Sequence, residues 1–93
     1  MLEELIDRYG EDAILTARPY VPASGGETLR WVLEIDGSPV PDADVRTARH
    51  EERRDVMVML LVHGDEEVEI GSWSTTVSPY GPSVVMHRLG DLR

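Results

Sequence analysis

Residues 42–73 read DADVRTARHEERRDVMVMLLVHGDEEVEIGSW, a charged run, an apolar run and an acidic knot in direct succession. How the first two segments are read decides the fold. The apolar run VMVMLLVH, residues 56–63, carries large side chains at every position and suits a central strand with something packed on each side. The charged run before it shows no apolar alternation, so as a strand it would have no face to bury. With Pro41 suited to a first helical position and acids near the positive end of the helix dipole, the run predicts a helix over residues 42–53. On that helix Arg46, Arg49, His50 and Arg53 cluster on one side, while Val45, Ala48 and Val56 form a narrow apolar strip with acids beyond it. Beyond the apolar run, GDEE connects to VEIGSWSTTV as a hairpin. A bulge at Gly71 would bring Trp73 onto the face of Val68 and Ile70.

Toward the N-terminus, Leu2, Leu5, Ile6 and Tyr9 recur at helical spacing, and Gly10 is placed to end that helix. AILTARPYV, residues 13–21, reads as a strand, with Pro19 favouring an edge. In TLRWVLEIDG, residues 28–37, Leu29, Trp31, Leu33 and Ile35 share one face, and Arg30 and Glu34 take the other. The loop residues PASGGE between these two strands predict a hairpin. DGSPVP and SPYGPS are turns, and VVMHRL is a last strand. The order α-β-β-α-β-β-β predicts a single α+β domain over residues 1–93, built as two layers: an antiparallel sheet of about five strands carrying two helices on one face.

Composition narrows the chemistry. The 93 residues include no Cys, and all nine basic residues are Arg. The absence of Cys excludes disulfides, thiolate metal sites and a Cys nucleophile. The absence of Lys excludes a P-loop lysine, a Schiff base and a kinase-type lysine. Asn and Gln are also absent, so no side-chain amide is present to read adenine. GSWST is not a nucleophile elbow, because Trp73 stands where the serine would be. Paired carboxylates are easily found among 18 acids and point to no particular reaction. The expectation is therefore a non-enzymatic protein without a cofactor. The acidic N-terminus has the wrong charge for a targeting peptide and no apolar run reaches membrane-spanning length, so the expected location is cytoplasmic, with no membrane partner.

Charge supplies the functional expectation. The net charge is −9, and residues 55–87 hold five acids without a single Arg. The knot Asp65, Glu66, Glu67 and Glu69 matches no calcium loop, and its plainest role is a solvated hairpin tip that protects a sheet edge. A one-signed surface also steers a basic partner. The favoured expectation is a small binding or inhibitor module docking on a basic surface of a macromolecular partner through Asp65, Glu66, Glu67, Glu69, Asp36, Asp42, Asp44 and an anchoring Tyr80. Antitoxins, immunity proteins and phage inhibitors that imitate nucleic-acid charge are its physical analogues. Arg46, Arg49 and Arg53 form a secondary basic patch. Direct nucleic-acid binding is not expected, because the chain is acidic and no aromatics lie among those arginines. The alternative is a small-molecule or metal-binding domain, or a degenerate enzyme, using His63, His87 and a carboxylate. A third reading makes the acidity an adaptation to a salt-rich cytoplasm.

Overall fold

A computed structural model of the chain describes residues 2–20, 30–79 and 81–93. The elements run α1 (Leu2–Tyr9), β1 (Ile14–Tyr20), β2 (Arg30–Ile35), β3 (Ser38–Pro39), β4 (Asp44–Arg49), β5 (Val56–His63), β6 (Glu66–Ser74), β7 (Val85–Arg88) and a closing 3-10 turn, Leu89–Leu92. They form a small α+β fold of two antiparallel sheets, ordered β3-β2-β1-β7 and β4-β5-β6. A sheet with helices on one face was expected. The second layer is instead another sheet, with α1 and the 3-10 turn packed on each other at its margin.

The correction originates in residues 42–53, which are not helical. Asp44–Arg49 pair with Val62–Met57 as an edge strand. The central strand β5 needs ladder partners on both sides, and its own apolar surface removes the need for a fully apolar neighbour. One inward valine suffices: Val45 packs on the core and Thr47 is half-buried, while Arg46 turns outward to Glu67 and the exposed Asp44 adds a second charge to the edge. His50 then ends the strand, because its Nδ1 accepts the N–H groups of Glu52 and Arg53, each at 3.1 Å, and folds the run into a hairpin loop. The interior face of β5 presents Met59 and Leu61, both fully buried. Its other face, Val58, Leu60 and Val62, is half-buried with no second layer over it among the described residues.

Elsewhere the patterns hold with adjustments. Helix α1 buries Leu5 and Ile6, and Gly10, at φ 98°, donates its N–H to the Ile6 carbonyl at 2.7 Å. Strand β1 is interior rather than an edge, since it pairs with β2 and β7. Pro19 is tolerated because the β7 pairing stops at Ala17↔Val85, two residues before it. Trp31, Leu33 and Ile35 face inward from β2 as expected, whereas Leu29 and the PASGGE loop lie outside the described residues. Asp36 (φ 51°) and Gly37 turn the chain tightly into β3, a short strand the sequence pattern did not reveal.

The two sheets meet along two seams. At one, β6 lies beside β7, and Gly71 presents no side chain to Val85. The register of β6 shifts between Met59 and Leu60, leaving Ile70 as the extra, buried residue of a bulge. Past it, Val68, Gly71 and Trp73 stand opposite Leu61, Met59 and Met57 on one face, so the bulge brings Trp73 inward. His87 of β7 donates from Nε2 to the Ile70 carbonyl and ties the sheets together there. At the other seam β2 approaches β4, and no ladder joins them.

Candidate functional site

The open seam between β2 and β4 holds a cleft of about 480 Å³, lined by Arg30 and Trp31 from β2, Asp44, Val45 and Thr47 from β4, Met57 from β5, Trp73 from β6, and Thr75 and Pro79 beyond it. Strand alternation directs the inner residues into it, and the bulge at Ile70 restores Trp73 to the same side. Both indoles are half-buried. The turn after β6 backs the second: a Cβ on Gly81 would stand 3.2 Å from the Trp73 ring, and Gly81 itself has φ 82°, so a side chain there would be strained and would press on that ring. The Trp73 Nε1–H is buried and finds no acceptor among the described residues.

Two charges of opposite sign sit at the rim. Arg30 makes no ion pair among the described residues, although Arg8, Arg18, Arg46, Arg88 and Arg93 are each paired with a carboxylate. Asp44 Oδ1 accepts only the neighbouring Val45 N–H, at 2.8 Å. The lining thus combines aromatic walls, an apolar floor and two charges that hold no ion pair among the described residues, within the volume range of small-molecule sites.

The expected acidic surface is more divided. Glu67 is held by the Arg46 guanidinium. Glu66 also has an interaction within the protein. Asp65 and Glu69 are exposed and hold no ion pair among the described residues. Asp36 is a structural residue whose Oδ1 accepts the Ile14 N–H at 2.9 Å and joins β1 to the turn. Asp42 lies 3.3 Å from Arg8 Nη1 and 3.3 Å from His63 Nε2. Hydrogen bonding to His63 above all, with its own backbone N–H and the Arg8 charge, holds the Asp42 carboxyl below its ordinary value. Tyr80 lies outside the described residues. Of the eight proposed contacts, Asp44 alone reaches the cleft among those described.

The arginines of the expected basic patch lie on a strand and its loop rather than on a helix: Arg46 faces Glu67, Arg49 donates to the Arg54 carbonyl and Arg53 sits in the loop, and Arg46, Arg49 and His50 line one depression together with Glu51 and Glu52. The two histidines of the alternative reading also have separate tasks. His63 Nε2 bridges Asp42 and, at 4.0 Å, Glu4 of α1, whereas His87 braces the Ile70 carbonyl. No group of three histidine or carboxylate side chains is placed to hold a metal ion among the described residues.

Sequence reasoning placed Trp31 and Trp73 in the core or at its edge and did not join them. The available signal was their position near the ends of different strands, beside Arg30 and Thr75, where a large indole has little chain left to cover it. Comparisons with protein-family models, curated proteins and solved structures gave no match. No helix among the described residues is long and apolar enough to cross a membrane.

Proposed function

We propose that this chain is a small non-catalytic binding domain whose recognition site is the cleft between β2 and β4. The observation that carries this reading is the convergence of Trp31 and Trp73, from different sheets, on one cavity of about 480 Å³. Large aromatic side chains contribute most of the burial energy at recognition sites, and half-buried ones facing a cavity retain area to spend on a ligand. Nothing in the lining resembles a nucleophile with its base, so binding without turnover is the consistent activity.

The test uses the tryptophans as reporters. Small aromatic, cationic and zwitterionic fragments added to the intact protein should shift or quench the indole emission, and Trp31→Phe should remove part of that response. An emission spectrum unchanged by every fragment, with the fold intact, would reject the cleft.

Electrostatic docking on a basic macromolecular surface is retained as a second reading, because Asp65 and Glu69 are exposed and hold no ion pair among the described residues, on a chain of net charge −9. The Arg46–Glu67 pair divides that surface and ranks this reading below the cleft. It requires a complex that weakens steeply with salt. A partner bound equally well at low and high salt would exclude it.

A further inference from the structure

We infer that the cleft takes a small zwitterion carrying an ammonium group and a carboxylate on an apolar body, in the manner of a free α-amino acid with an apolar or aromatic side chain. The inference rests on the cleft being the recognition site and adds the class of its ligand.

The rim charges decide the class. Arg30 and Asp44 line one cavity from two different sheets, yet they are not paired with each other, and neither has an ionic partner among the described residues. A neutral apolar ligand would desolvate both charges without compensating either, which is costly. A purely anionic ligand would use Arg30 but meet Asp44 and a protein of net charge −9. A purely cationic ligand would use Asp44 and the indole faces but meet Arg30. A zwitterion satisfies both poles and carries no net charge against the field of the chain. Its carboxylate matches the planar fork of the guanidinium, and its ammonium matches the Asp44 carboxylate. Its body lies between Trp31 and Trp73 above Met57 and Val45.

Isothermal titration calorimetry of the full chain with three ligands of one shape tests this: L-phenylalanine, phenethylamine, which lacks the carboxylate, and 3-phenylpropionate, which lacks the ammonium. L-Phenylalanine should bind about tenfold more tightly than either, the worth of one charged hydrogen-bonded contact. Arg30→Gln should weaken L-phenylalanine about tenfold and should not weaken phenethylamine, which gains nothing from the guanidinium. Asp44→Asn should reduce L-phenylalanine to the affinity of 3-phenylpropionate. Both residues are exposed, so neither variant threatens the fold. Equal affinity for all three ligands, unaffected by the two substitutions, would overturn the zwitterion and leave the cleft standing. No binding of any of them, with an indole emission that no fragment perturbs, would remove the cleft as well.

Discussion

The two seams between the sheets solve one problem in opposite ways. At β6/β7 the chain spends a bulge, a glycine and a histidine on closure: Ile70 is pushed inward, Gly71 admits Val85, and His87 takes up the Ile70 carbonyl. At β2/β4 no such device appears among the described residues, and two indoles line the gap instead. A small sandwich gains stability from every closed edge, so a seam left open and lined with costly aromatic surface is where function is to be sought.

Substitutions that move structure and binding independently sharpen this contrast. The largest expected effect is at Gly81, where alanine must adopt positive φ and push a Cβ against the Trp73 ring. Gly81→Ala should cost about 2 kcal/mol in chemical denaturation and alter the cleft as well. At the closed seam, His87→Leu leaves the Ile70 carbonyl without its partner and should cost about 1–2 kcal/mol while sparing ligand binding. If it abolished binding instead, the seams would not be separable.

A smaller effect concerns Asp42. Its carboxyl is held below the ordinary value in the folded state, so its contribution to stability is complete above the ordinary carboxylate range and is lost as the pH falls through the depressed value. The stability difference between the wild type and Asp42→Asn should therefore be present at neutral pH and vanish in acid, as followed by urea denaturation across pH. A difference that persisted or grew in acid would contradict the Asp42 network. Smallest of all, Arg30→Gln and Asp44→Asn should change stability by less than about 0.5 kcal/mol, since both are exposed and hold no ion pair among the described residues. A larger loss would mean that the open seam is held together by its rim.

The local patterns of the chain were legible to the extent that they were local. Leu2, Leu5, Ile6 and Tyr9 announced α1, Gly10 its end, and the alternation through Trp31, Leu33 and Ile35 the buried face of β2. Residues 44–49 were misread because alternation was required of the wrong strand. An edge strand beside an apolar one needs only Val45 inward, and its charges are a protection rather than a defect. With that helix went the helical second layer and the helical spacing of the arginines. The cleft was illegible for a different reason. Trp31 and Trp73 are 42 positions apart and meet only when two sheets pack, a relation that no periodicity within either segment encodes. Asp44 was singled out for its charge and lines the cleft together with the indoles, while Asp36 and Asp42, chosen on the same ground, are committed to the fold.

The most direct measurement is a backbone and indole ¹H–¹⁵N correlation spectrum of the uniformly labelled protein, titrated with the fragment set and then with an oligoarginine peptide. The cleft account predicts that the fragments move the two indole cross-peaks together with the amides of Arg30, Trp31, Val45 and Met57, and leave Asp65–Glu69 in place. Shifts confined to Asp65–Glu69 on adding the peptide, with both indoles stationary under every fragment, would contradict it and return the protein to an electrostatic docking role.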